Sequence, residues 1–95
     1  MKDCVIHGDR IHGLDSLYDQ LSAELEFPEW FGRNLDALFD CLTDLPDSQI
    51  TIYQWSSLAE RLGKKANALR RVLTEAGLEN QHLTVSILDE DADEI

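Results

Sequence analysis

The sequence predicts an α/β domain, a three-stranded parallel sheet covered by about four helices. Three observations lead there. Short β-branched, apolar runs stand at Asp3–His7, Ile50–Tyr53 and Leu83–Leu88. The segments between them repeat apolar residues at helical spacing. The order strand, helices, strand, helices, strand requires crossover connections, which make the strands parallel. The 95 residues form one domain, large enough to bury roughly 60–70% of its unfolded surface.

The first strand ends at Gly8-Asp9. Asp15 is the expected N-cap of a first helix running to Leu25. Its stripe of Leu14, Leu17, Leu21 and Leu25 faces the core. Pro28 closes that element. Glu26 to Arg33 is then a loop, with Gly32 free to take an unusual backbone conformation. Asn34 is a good N-cap for a second helix to about Thr43, and Pro46-Asp47-Ser48 marks a turn before the second strand. Ser56 or Ser57 can cap a short third helix ending at Gly63. Lys65 to Ala76 is a fourth, with Ala66, Leu69, Val72 and Leu73 on one side and Gly77 just past its end. After the third strand, residues 89–95 carry Asp89, Glu90, Asp91, Asp93 and Glu94, a composition expected of a solvated, self-repelling tail.

Composition narrows the function classes. Acidic residues number 19 against 8 basic ones, for a net charge of −11. Nucleic acid and anionic membranes are poor partners for such a chain and a basic protein is a natural one, although the same charge also serves solubility. No apolar run approaches the length of a transmembrane helix. The start Met1-Lys2-Asp3-Cys4 is not followed by a long apolar region, so a secretory signal is not expected and the cytoplasm is the default compartment. Cys4 and Cys41 stand far apart, with no Cys-x-x-Cys pair and no histidine cluster at metal-ligand spacing. Both are read as reduced, buried thiols, and no metal or cofactor is implied.

The most informative segment is Phe27 to Asp44. Asp36, Asp40 and Asp44 follow one another at i, i+4 and i+8 and so stack in one row on the second helix. Leu35, Leu38 and Leu42 form an apolar stripe about a quarter turn away, and the aromatics Trp30, Phe31 and Phe39 flank the acidic row. Like charges one turn apart destabilise a helix by about 0.2–0.5 kcal/mol per pair. Asp40 and Asp44 also lie near the C-terminus, where the helix dipole disfavours anions. A row that opposes folding is a reason to look for a cationic partner.

Other chemistry fits less well. Paired carboxylates suit acid–base or glycosidase work, but such catalysis needs a pocket that drives their pKa values apart, and a solvated helix face in a small domain offers little room for one. An enzyme is not expected. Calcium-loop spacing with its glycine turn is missing. His7, His12 and His82 pair with no serine or cysteine in triad order and read as structural. Trp55, just after the second strand, reads as core. Trp30 is either a buried aromatic or an exposed anchor. A charge run alone means a solvated face. Carboxylates flanked by exposed rings have instead the makeup of a binding patch, where charges steer and rings anchor.

The run Pro28-Glu29-Trp30-Phe31-Gly32-Arg33-Asn34-Leu35-Asp36-Ala37-Leu38-Phe39-Asp40-Cys41-Leu42-Thr43 closely resembles the barstar family of ribonuclease inhibitors. The likeness extends more weakly through Val5-Ile6-x-Gly8, Ile52-x-x-Trp55, Glu75-Ala76 and the strand Leu83 to Leu88. It implies a barstar-like inhibitor domain over residues 1–88, with 89–95 as an acidic, disordered tail beyond the family's usual end. It also implies an intracellular inhibitor of a basic, secreted microbial ribonuclease. Such an inhibitor inserts the acidic helix and its leading loop into the active site, where carboxylates replace substrate phosphates. The barnase–barstar pair is itself the standard case of electrostatic steering and of a hot-spot aspartate.

Carried over by position, the contact residues are Trp30, Phe31, Asn34, Leu35, Asp36, Phe39, Asp40 and Asp44, with Glu75 on the later helix. Asp40 is then the central phosphate mimic, Asp36 orients and steers, Glu75 adds a second acidic point, and Trp30 and Phe39 supply apolar contact. Trp30 and Phe31 stand where the family commonly has tyrosines, Phe39 replaces a tryptophan, and Asp44 replaces a glycine. The free chain is expected to be monomeric. The rival reading is an immunity or regulatory module for another basic protein, such as a DNase toxin.

Overall fold

The computed structural model describes residues 1–89, so the expected tail lies outside the described residues except for Asp89. Strands β1 (Lys2–His7), β2 (Ser48–Tyr53) and β3 (Leu83–Ile87) form one sheet in the order β1-β2-β3 with both pairs parallel. Helices α1 (Leu14–Leu25), α2 (Leu35–Thr43), α3 (Trp55–Leu62) and α4 (Lys65–Glu79) make the connections. This is the α/β architecture that the sequence predicts.

Register and burial explain one another. Cys4, Ile50 and Val85 stand side by side across the three strands, as do Ile6, Ile52 and Ile87. Alternate residues along a strand face opposite ways. Cys4, Ile6, Ile50 and Ile52 are buried, whereas Asp3 and Thr84 on the other face are exposed and His7, Gln49 and Tyr53 half-buried. The strand order advances in one direction, so two right-handed crossovers carry their helices to the same face. Leu17, Leu21 and Leu25 of α1, Leu38 and Leu42 of α2, Leu58 of α3 and Leu69 and Leu73 of α4 fill the space between. Each such leucine contributes about 1.5–3 kcal/mol by leaving water. Cys4 and Cys41 are both buried and free, as expected.

Several local expectations are corrected. Asp15 is not the N-cap of α1. Gly13 is, and Asp15 sits in the first turn, where its charge still meets the positive end of the helix dipole. The left-handed residue of the α1–α2 loop is Arg33 (φ 52°) and not Gly32, and Glu26 (φ 56°) takes the same conformation where α1 ends. Neither Ser56 nor Ser57 caps α3. Gln54 holds the cap position, and the carboxylate of Asp89 accepts from Ser56 N (3.0 Å) and Ser56 Oγ (2.8 Å). Strand β2 begins at Ser48, two residues before the apolar run. Gly77 lies inside α4, which runs on to Glu79. A Cβ on Gly77 would meet Val85 at 3.6 Å, an ordinary contact, so this glycine is no stop signal.

Gly8 has a clearer reason. A Cβ there would collide with the carbonyl oxygens of Gln54 and Tyr53, the latter at 2.7 Å. Only glycine lets the end of β1 pass so close to the β2–α3 junction.

Candidate protein-binding face

Helix α2 is held at both ends. At its start Asn34 is extended (φ −142°, ψ 172°) and its Oδ1 accepts from Ala37 N at 2.8 Å, the N-cap the sequence predicts. Before it, Arg33 reaches back to α1. Its guanidinium pairs with Asp19 at 3.0 Å and Asp15 at 3.7 Å, donates to the Asp15 carbonyl at 3.0 Å, and lies 5.8 Å from the centre of the Tyr18 ring. At the far end Asn80 is buried. Its Nδ2 donates to the carbonyls of Leu42 and Leu45, both at 3.0 Å, and its Oδ1 accepts from His82 N at 2.9 Å. Those bonds reinforce the Leu42 carbonyl, which otherwise has only the longer backbone bond from Leu45 N at 3.4 Å, and satisfy the Leu45 carbonyl just past the helix. Sequence reasoning missed both residues. Arg33 carries a local signal, a cation beside an acidic helix start. Asn80 carries none, because it acts 38 residues away in the chain.

The outer face of α2 shows the acidic row. Asp36, Asp40 and Asp44 are all exposed. Among the described residues their carboxylates take part in no hydrogen bond or ion pair, although Asp15, Asp19, Glu26 and Asp47 all do. Beneath them burial pushes the Cys41 thiol above its ordinary pKa, and the negative charges of Asp40 and Asp44 push it further.

The rings divide. Trp30 is 80% exposed, so of the two readings open for it the buried aromatic is ruled out. Phe39 is half-buried against the core. Phe31 is a correction: it is not an exposed ring but is 9% exposed, packed edge-on against Tyr18 (centroids 5.5 Å) and Phe27 (5.1 Å) beneath the loop. Trp55 is core, with the Arg70 guanidinium 5.6 Å from its ring centre.

Two depressions flank the row. An open hollow of about 510 Å³ brings Asn34, Leu35 and Asp36 together with Arg33 and Lys65. A smaller groove of about 210 Å³ brings Trp30 together with Asp40 and Asp44. Glu75 lines neither; it is exposed on α4, the helix that packs against α2. No group of three or more histidine, cysteine or acidic side chains among the described residues could hold a metal ion. No helix among them is long and apolar enough to cross a membrane.

The face can therefore present charge and apolar contact to another molecule. Residues 1–90 match the family model described as Barstar (barnase inhibitor). A protein of Bacillus subtilis (strain 168) named "Putative ribonuclease inhibitor YrdF" is 36% identical over 80 residues, which cover 80% of this chain and 86% of that protein.

Proposed function

The chain belongs to the barstar family, and we propose that it inhibits a basic microbial ribonuclease by covering the active site with the outer face of α2. The family is one of inhibitors, not enzymes. One observation carries the proposal: three exposed carboxylates share one helix face and none has a partner among the described residues. A ribonuclease must hold phosphates with cations. A rigid row of carboxylates offers those cations the same charge without a bond to cleave.

Within that reading Asp40 is the central phosphate mimic, Asp36 orients and steers, and Asp44 and Glu75 add charge at the margins. Trp30 and Phe39 give apolar contact, and Asn34 and Leu35 form the leading edge. Phe31 supports the Trp30 loop from below and does not touch the partner. The net charge of −11 speeds encounter with a basic surface. The inhibitor acts in the cytoplasm as a monomer, against an enzyme that does its work once secreted. Residues 1–88 form the inhibitory domain together with Asp89, whose carboxylate holds the start of α3, and the rest of the tail affects only the rate of encounter.

The test is a titration of purified basic nucleases, barnase-type ribonucleases and DNases together, with this chain. Stoichiometric inhibition of a ribonuclease is expected, with an association rate that falls steeply between low and high salt while dissociation changes less. Inhibition of a DNase alone would move the chain to the rival class. A salt-independent association rate would remove the steering role of the acidic surface.

A further inference from the structure

We infer that two copies of this chain pair in antiparallel sense through the outer edge of β3 and the flank of α4 above it. The inference stands apart from the inhibitor reading. Helix α2 packs on the opposite flank of α4, so its acidic row stays free in the pair.

The edge of a sheet is a row of unpaired N–H and C=O groups, and proteins usually blunt it. The outer edge of β1 is blunted: Gln20 of α1 donates to the Val5 carbonyl at 2.8 Å. Nothing comparable stands on β3 among the described residues. The His82 carbonyl and the Leu88 N–H bond to Ser48 and Ile52 of β2. Backbone groups alternate in direction along a strand, so Val85 and Ile87 aim theirs away from the sheet. The Leu83 N–H is taken by the Asn80 carbonyl at 3.0 Å, which leaves the Leu83 carbonyl facing out. Leu83–Ile87 carries neither a charge nor a proline, two common guards of an edge.

Above this edge lies a groove of about 450 Å³, where Arg70, Thr74, Gly77 and Leu78 of α4 stand over Val85 and Ile87. None of its lining residues is acidic, in a chain with 19 acids. Two copies therefore approach with least local repulsion here. Leu78 is 81% exposed, an apolar side chain without cover.

The patch is complementary to itself. With Val85 on a two-fold axis, each Val85 N–H meets the other copy's Val85 carbonyl, and each Ile87 N–H meets the other's Leu83 carbonyl. The one N–H already used, that of Leu83, is the one this ladder can leave out. The same axis lays the two α4 helices side by side and antiparallel. Leu78 then packs near Thr74 of the other copy. Arg70 approaches the C-terminal end of the other α4, where the dipole and Glu79 favour a cation. Each contact occurs twice, as a two-fold interface requires. The patch is small, one five-residue strand and one helix flank. The pair is therefore weak, and dilution returns the single chain.

Sedimentation equilibrium of the full chain, over a range of concentrations at low and high salt, reads the pairing. The mass should climb toward twice that of one chain, and at lower concentration in high salt. Screening removes repulsion between two chains of charge −11, so salt acts here in the sense opposite to its effect on nuclease association. Amide exchange at Val85 and Ile87 should slow as concentration rises, and exchange along β1 should not change. Leu78→Lys, at a position open enough to spare the fold, should weaken pairing about tenfold by setting a charge against an apolar contact. Val85→Pro removes an N–H that does not face β2 and should weaken it about as much, about tenfold. If that variant fails to fold, Leu78→Lys still decides. Trp30→Lys, the loss of another exposed apolar side chain, should leave pairing unchanged. A single-chain mass at every concentration and salt would overturn the inference, as would pairing that Leu78→Lys leaves intact. So would pairing that Trp30→Lys abolishes, which would move the contact to the α2 side. Ribonuclease inhibition by dilute Leu78→Lys should match wild type. Its loss would assign this flank of α4 to the nuclease instead of a second copy.

Discussion

Asp15 and Asp19 stand one turn apart on α1, and Asp36, Asp40 and Asp44 stand one turn apart on α2. Both rows carry the same kind of repulsion. On α1 it is answered within the chain: Arg33 reaches across from the next loop to both carboxylates, and Asp15 lies in the first turn, where the dipole favours it. On α2 nothing among the described residues answers it, and the last two aspartates lie at the unfavourable end. The molecule has the means to neutralise an acidic row and applies it to the one beside the row it displays. The cation that neutralises the α1 row also orders the chain leading into α2. An unanswered charge next to an answered one is what a surface kept for a partner looks like.

The largest effect should appear in the complex. Asp40→Ala should weaken inhibition of a barnase-type ribonuclease by about 2–5 kcal/mol or more, since the partner's cations would be left unpaired in a desolvated site. Asp19→Asn, also the loss of one acidic charge, should leave affinity nearly unchanged. Paired inhibition constants for the two variants decide the matter. Equal losses would mean that only net charge counts, and the contrast between the two helices would lose its meaning.

A second variant asks whether the row needs its scaffold. Asn80→Ala removes the side-chain donor of the Leu45 carbonyl in a buried position, while the Leu42 carbonyl keeps its weaker backbone bond from Leu45 N at 3.4 Å. A lost buried partner costs about 1–3 kcal/mol, so the denaturation midpoint should fall well below wild type. Inhibition at temperatures where the variant stays folded should weaken far less than in Asp40→Ala. A midpoint equal to wild type would show that the end of α2 holds itself.

How much of this could be read from the sequence depends on how local the cause is. The strands, the helices and their parallel order follow from apolar periodicity, and the Asn34 cap from a residue type bonding three positions on. The acidic row is a matter of spacing alone. Arg33, Asn80 and Asp89 act over 18, 38 and 33 residues, and no short window contains both ends of those bonds. The same limit explains the caps that failed. Ser56 is a plausible cap by type, but Asp89 on the far side of β3 supplies the carboxylate oxygen that its N–H needs. The orientation of Phe31 against Trp30 was equally out of reach, because adjacent aromatics in a loop give no sign of which one turns inward.

Stability should separate the two helices by sign. Asp40→Asn removes repulsion with Asp36 and Asp44 and an unfavourable dipole contact, for an expected gain of about 0.3–1 kcal/mol. Asp19→Asn removes the shorter of the two Arg33 pairs, an exposed one, for an expected loss of about 0.2–1 kcal/mol. Urea midpoints of the two proteins, compared with wild type, should therefore move in opposite directions. A loss in both would make Asp40 a structural residue.

The smallest effect is the most local. Both thiols sit above the ordinary cysteine pKa, and in both burial is the main cause. Cys4 is pushed up to about 12, with Glu24 and Asp3 adding to it, whereas Cys41 feels Asp40 and then Asp44. A negative neighbour disfavours the thiolate, so removing one lowers the pKa. Asp40→Asn should therefore make Cys41 ionise at lower pH and leave Cys4 where it is, and Asp19→Asn should move neither. Thiolate ultraviolet absorbance during an alkaline titration, with Cys4→Ala as background to isolate one thiol, reads this directly. The expected shift is modest because burial persists in the variant. Its value is that it measures the potential of the α2 row with no partner present. If Cys41 ionised at the same pH with and without Asp40, the row would be screened by solvent at the distance of its own helix, and its reach toward a partner's cations would be shorter than the inhibitor reading requires.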